Sequence, residues 1–261
     1  MSTSTPRGGI RQARPPQPGS TVRLSRVRKI IAARMTESLQ VSAQLTAVQE
    51  ADVTAIATLR KRAKESFRAK EGASLTFLPF FARALVAAAR EFPSFNASID
   101  PSGESVTYHE KVHLGVAVDG PGGLMVPVIR DADELTVPEL AVRIADLAAR
   151  VRDGSISMDE LSGSTLTLTN IGSAGSLTDT PILNQPEVAI LGTGAVTRRP
   201  RVVTDEDGTE NLAIRSVCSL PLTYDHRLID GADAGRFLSA IVHQLRSAPF
   251  ETELAGHLGT V

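Results

Sequence analysis

Cys218-Ser219-Leu220-Pro221-Leu222-Thr223-Tyr224-Asp225-His226-Arg227-Leu228-Ile229-Asp230-Gly231 reads as a strand that runs into a corner and leaves it as a helix. Cys218, Leu220, Leu222 and Tyr224 alternate with Ser219, Pro221 and Thr223, the period of two that lays one side of an extended chain on a core. The alternation stops at Asp225, and a helical spacing of apolar residues runs over 232–246. The corner holds one imidazole, His226, among Asp225, Arg227 and Asp230. A histidine so placed is suited to moving a proton. On residue types alone it equally reads as a structural member of a surface ion cluster.

Outward from that corner, strand-like runs occupy 43–51, 164–169 and 188–196, and a period of two carries Val112, Leu114, Val116 and Val118. Upstream the pattern is helical. Val27, Ile30, Ile31, Met35 and Leu39 form one apolar stripe from Ser25 onward. Asp52 is expected to cap a helix carrying Ile56, Leu59, Ala63 and Phe67 until Gly72, and a third helix over 76–92 carries Leu78, Phe81, Leu85 and Ala88. Thr136 and Glu139 form a capping box for a helix with Leu140, Ile144, Leu147 and Val151, closed by Gly154. Helices grouped early, long strands late and no regular βαβ alternation predict a mixed-sheet α/β or α+β domain.

Hydrophobic residues make up 42% of the 261, enough to exclude wholesale disorder. The 28 Lys/Arg nearly balance 29 Asp/Glu, so the bulk charge points to no nucleic-acid or membrane partner. Residues 1–36 are the exception, with eight Lys/Arg and no acid. The first 22 residues are rich in Pro, Gly and Arg and poor in large apolar side chains, and are expected to be the remains of a flexible linker ahead of a domain over 23–261. The single cysteine, Cys218, cannot form an internal disulfide and fits a reducing cytoplasmic compartment. The longest apolar stretch, 77–89, is cut by Arg83, so no membrane span is expected.

Several familiar motifs fail on inspection. His109-Glu110-Lys111-Val112-His113 matches H-E-x-x-H, which binds zinc only on a helix, where both imidazoles share one face. Its flanks, Ser105-Val106-Thr107-Tyr108 and Leu114-Gly115-Val116, read as strand. In a strand, residues four apart lie about 13 Å from each other. No metal site is expected. Gly192-Thr193-Gly194 lacks the third glycine and the helix of a dinucleotide fingerprint. Neither a phosphate loop nor a G-x-S-x-G elbow is present.

Asp225-His226-Arg227-Leu228-Ile229-Asp230-Gly231 resembles the active-site signature of the dihydrolipoyl acyltransferases, the catalytic cores of 2-oxo-acid dehydrogenase complexes, and is similar to the His-x-x-x-Asp-Gly motif of chloramphenicol acetyltransferase. The likeness continues in order through 28–35, 95–98, 126–132, Thr167-Leu168-Thr169-Asn170-Ile171-Gly172, and Thr180-Pro181-Ile182-Leu183-Asn184-Gln185-Pro186-Glu187-Val188-Ala189-Ile190-Leu191-Gly192. It implies a chloramphenicol acetyltransferase-like α/β fold, a two-layer sandwich of a mixed β-sheet packed with helices, and acyl transfer, most naturally of acetyl, between a dihydrolipoyl arm and coenzyme A. An unaided thiol is only about 3% thiolate at pH 7. By resemblance His226 is the general base that removes its proton, Thr169 the hydroxyl that stabilises the oxyanion, and Asp230 an organiser ion-paired with an arginine such as Arg34. Arg34, Lys29 and Asn170 are the candidate coenzyme A contacts.

The resemblance further implies a homotrimer with active sites between subunits. The expected partners are a lipoyl domain and the decarboxylase and dihydrolipoamide dehydrogenase components of a pyruvate dehydrogenase-type complex. Succinyl and branched-chain enzymes share every motif quoted, and a non-catalytic scaffold trimer or a stand-alone acetyltransferase of a hydroxyl substrate are further alternatives. Trimers of this family dock into cages through a short apolar tail. Here 250–259 is polar, resembling actinobacterial members, and assembly is expected to stop at the trimer.

Overall fold

A computed structural model describes residues 17–258; the expected linker over 1–22 falls mostly outside them. In chain order the elements are α1 (Arg26–Val41), β1 (Gln44–Asp52), α2 (Thr54–Glu71), α3 (Leu78–Glu91), β2 (Ala97–Ile99), β3 (Val106–Tyr108), β4 (Leu114–Gly120), β5 (Gly123–Met125) and β6 (Val128–Ile129). They continue with α4 (Val137–Asp153), β7 (Leu166–Asn170), β8 (Ala189–Thr193), β9 (Thr197–Thr204), β10 (Glu210–Asp225), α5 (Gly231–Ser247) and α6 (Phe250–Glu253).

Eight strands form one sheet in the order β1-β10-β8-β7-β4-β5, with β6 on β4 and β9 on β10. β7 runs parallel to both neighbours, β4 and β8, and the remaining pairings are antiparallel, so the sheet is mixed. Helix α3 packs between α4 and α5, with α4 resting on β4 and α5 on β1 and β10. Leu114, Leu166, Leu168, Leu191 and Leu222 from the strands meet Phe80, Leu85, Leu140 and Phe237 from the helices in the core. The ring of Phe95 stacks on Phe237 at 3.9 Å. This is the two-layer α/β arrangement that the resemblance implies, and it settles the α/β-or-α+β choice that the periodicities leave open.

The local signals act as expected at several ends. The Thr136/Glu139 capping box forms, and Gly72 and Gly154 close α2 and α4 in the left-handed region. Asp52 ends β1 instead of occupying the cap position, which falls to Val53, but its Oδ1 still accepts from the Thr54 N–H at 2.9 Å.

Three expectations need correction. Residues 109–113 are an irregular link between β3 and β4 rather than strand, with His109 on the Ser98 hydroxyl (2.8 Å) and His113 Nδ1 accepting from the Asp131 N–H (3.1 Å). β10 begins at Glu210, six residues before Ser216, where the sequence pattern starts the strand, because it extends beyond the sheet as a hairpin with β9. Helix α1 has its amphipathic stripe, but Ser38 is its one buried residue; Val27, Ile30 and Leu39 are exposed in the single chain.

Candidate functional site

The corner at the end of β10 is built by Asp225. Its carboxylate is 1% exposed and accepts from the Ala43 N–H (3.3 Å), the Arg227 N–H (3.0 Å) and the Arg227 guanidinium (2.7 Å). The same ion pair raises Arg227 above the ordinary guanidinium value. The next residue, His226, donates its backbone N–H to the Ala43 carbonyl at 2.8 Å, and Asp225 donates its own to Val188 at 2.9 Å. Buried Ile229 anchors the far side of the turn, and α5 starts at Gly231 with Asp230 as its N-cap. The imidazole thus stands on a backbone tied to strands on both sides. Its Nδ1 lies 3.7 Å from Asp230 Oδ1, and Nε2 has no hydrogen-bond partner among the described residues.

Thr169 lies elsewhere. It is on central strand β7, paired with Ala117 of β4 and Gly192 of β8. Thr165, Thr167 and Thr169 share one face by alternation. Thr165 donates to Asn96 (2.5 Å) and Thr167 to Glu187 (2.6 Å), whereas the Thr169 hydroxyl has no hydrogen-bond partner among the described residues. Thr169, Asn170 and Ser173 line a cavity of about 590 Å³ with Asp119, Leu124 and Arg152. The loop beyond β7 is pressed against the end of β8: a Cβ on Gly172 would overlap the Gly194 carbonyl, and one on Gly194 the Leu177 carbonyl.

The register separates these two groups within one chain. Leu191 pairs with Leu222, so Gly192, level with Thr169, falls beside Pro221, five residues short of His226. Two strands across and five residues along amount to roughly 19 Å. His226 does not line the Thr169 cavity.

The structure brings Asn170 to that cavity, whereas Lys29 and Arg34 are exposed on α1 and do not line it. No Asp230–Arg34 ion pair forms among the described residues; the side chain beside Asp230 is the His226 imidazole. Sequence reasoning missed Arg152 in the cavity wall. It also left Arg28 unchosen: its guanidinium lies over Gly123, on the β4–β5 turn that flanks the cavity.

Sequence reasoning gave no role to Glu187 either. It accepts from the Ser164 hydroxyl, from Asn184 (2.8 Å) and from Thr167, with no cation beside it among the described residues. Burial pushes its carboxyl up to about 7, against three hydrogen bonds that lower it. Between pH 4.5 and 7 the folded chain therefore holds a proton that the unfolded chain releases, so stability falls as pH rises, by roughly 3 kcal/mol from this group alone. Urea unfolding of wild type and Glu187→Gln across that window checks it: the variant lacks this fall, and equal slopes contradict the reading.

The family description "2-oxoacid dehydrogenases acyltransferase (catalytic domain)" matches residues 16–251. The chain belongs to that family. Among relatives of this acyltransferase domain, the acetyltransferase component of the pyruvate dehydrogenase complex of Mycobacterium bovis is 55% identical over 90% of the chain, covering 43% of that protein. The corresponding component of Corynebacterium glutamicum is 51% identical over 90% of the chain and 35% of that protein. A solved structure described as the cubic core of the pyruvate dehydrogenase multienzyme complex superposes with a TM-score of 0.82 at 34% identity, covering 96% of this chain and 99% of that one. The acyltransferase domain thus spans less than half the length of those two curated relatives.

Proposed function

We propose that residues 23–261 form an acetyltransferase domain that moves an acetyl group between a dihydrolipoyl arm and coenzyme A, in the cytoplasm and within a pyruvate dehydrogenase-type complex. The observation that carries this is the His226 corner, held by Asp225 and leaving Nε2 unpartnered, in a chain of the acyltransferase family. Acetyl is favoured over succinyl or branched-chain groups by the two relatives named as acetyltransferases at 55% and 51% identity.

In the direction from acetyl-CoA, Nε2 of His226 takes the thiol proton of dihydrolipoamide as the sulfur attacks the thioester carbonyl. Asp230, beside Nδ1, favours the tautomer that keeps Nε2 basic. The tetrahedral oxyanion accepts from the Thr169 hydroxyl. Collapse expels the CoA sulfur, and the imidazolium returns the proton to it. The roughly 19 Å between these two backbone positions of one chain favours a site shared by neighbouring copies, His226 from one and Thr169 from the next. The exposed apolar stripe of α1 supplies a surface for such a neighbour. Three copies close the arrangement as a ring.

The tail supports assembly that stops there. Phe250 packs edge-on against Phe80, Leu254 is buried, and Glu253 accepts from the Val137 N–H at 2.8 Å, so the large apolar groups of 250–254 are spent on their own chain. Light scattering is expected to give the mass of three chains; a cage many times larger overturns this reading.

Acetyl transfer from acetyl-CoA to free dihydrolipoamide tests the function, with succinyl-CoA as the competing donor. Faster turnover of acetyl-CoA is expected. Preference for succinyl-CoA reassigns the acyl group, and a folded, inactive protein is a scaffold. Arg152, in the cavity wall, is placed to meet the phosphates of coenzyme A. Arg152→Ala is expected to raise KM for acetyl-CoA about tenfold, the scale of one charge-assisted contact, with little change in kcat. An unchanged KM removes Arg152 from that role.

A further inference from the structure

Glu187 is the buried acid that the proposed chemistry does not use. Asp225, similarly buried, is clasped by Arg227, but Glu187 has only neutral donors around it among the described residues. Keeping a carboxyl there costs stability that a neutral group of the same shape avoids. Its partners show what it joins. Ser164 and Thr167 belong to the entry and body of β7, and Asn184 to the loop before β8.

That loop is fastened on its other side to the α1–β1 junction. Ser38 donates to the Leu183 carbonyl (2.7 Å), Gln44 accepts from the Leu183 N–H (3.0 Å), and Gln185 donates to Ser42 (3.2 Å). Ala43, inside the same junction, holds the backbone of His226. One carboxyl group therefore links the strand bearing Thr169 to the scaffold bearing His226. Thr167, which it grips, lies two residues before Thr169 on the same face.

We propose that Glu187 is a positioning residue for acyl transfer: by clamping Thr167 and Ser164 to the 183–188 loop it sets where β7 presents the Thr169 hydroxyl. The inference rests on the oxyanion role given to Thr169 above. A protonated Glu187 donates to Thr167 instead of accepting from it, so the clamp survives the neutral form, which burial favours by raising this carboxyl to about 7. Glutamine, with an oxygen and an NH₂ in the same places, is accordingly the conservative replacement.

The test is a double-mutant cycle in the acetyl-CoA to dihydrolipoamide assay. Glu187→Ala and Thr167→Val are each expected to lower kcat between about 10- and 100-fold, the scale of a misplaced group, with KM for both substrates unchanged. Glu187→Gln restores most of the kcat lost in Glu187→Ala. Combining Thr167→Val with Thr169→Ala is expected to be no slower than Thr169→Ala alone, because a missing hydroxyl cannot be mispositioned. Should Glu187→Ala not fold, Thr167→Val carries the cycle, with its melting curve as the check on folding. Wild-type kcat in Thr167→Val, or losses that multiply in the double variant, overturn the inference and leave the Thr169 assignment standing. Wild-type kcat in Thr169→Ala removes that assignment, and this inference with it.

Discussion

His226→Ala is expected to lower kcat for acetyl transfer by about 10²–10⁴, the range attributed to general-base catalysis, with KM for acetyl-CoA near wild type. The backbone of His226 is fixed by the Ala43 carbonyl, and the flanking Asp225 is fixed by Arg227, Ala43 and Val188. Removing the imidazole therefore leaves the corner in place and subtracts only the proton acceptor. The proposed substrate is a thiol, mostly protonated near neutrality, so the lost step is the formation of the attacking sulfur. A constant-pH kcat measurement decides it, and an active variant places the base elsewhere. Asp225→Asn is a useful contrast: it loosens the Arg227 clasp, so its effect should include a lower melting temperature, which His226→Ala should not show.

Thr169→Ala is expected to cost about 10²–10³ in kcat, or roughly 3–4 kcal/mol, the measured scale for removing one oxyanion donor. Its hydroxyl is free of protein partners among the described residues, and the residue is among those that line the cavity of about 590 Å³, in contrast to Thr165 and Thr167, whose hydroxyls are both engaged. Thr169→Ser keeps the oxygen and should retain most of the activity. Equal losses in the alanine and serine variants point to packing rather than to the hydroxyl.

The His226 corner was legible because its signals are local. Alternation through Tyr224, a break at Asp225 and a helix after Gly231 all sit within a few residues, and the structure places His226 at that turn. The capping box was legible for the same reason. The β9–β10 hairpin was not: much of it projects beyond the sheet, leaving Val202, Leu212 and Ile214 exposed, and no buried face imposes a pattern on Glu210–Arg215. Glu187 was missed because Ser164 and Thr167 lie 23 and 20 residues away, too far for any spacing rule to connect. Arg152, in the last turn of α4, reads as an ordinary partner of the helix dipole until the cavity is seen. The stripe on α1 was legible, but within the described chain only its Ile31 and Met35 are half-buried, while Val27, Ile30 and Leu39 stay exposed.

The distance between Thr169 and His226 makes the shared site the central claim, and subunit mixing tests it most directly. Each of the variants His226→Ala and Thr169→Ala should be nearly inactive alone. Unfolded together in equal amounts and refolded, they form trimers in which some sites take an intact His226 from one chain and an intact Thr169 from the next. Random assembly makes about a quarter of the sites whole, so roughly a quarter of wild-type activity should return. Activity that stays at the level of the separate variants, in trimers shown to be mixed, contradicts a site shared between copies.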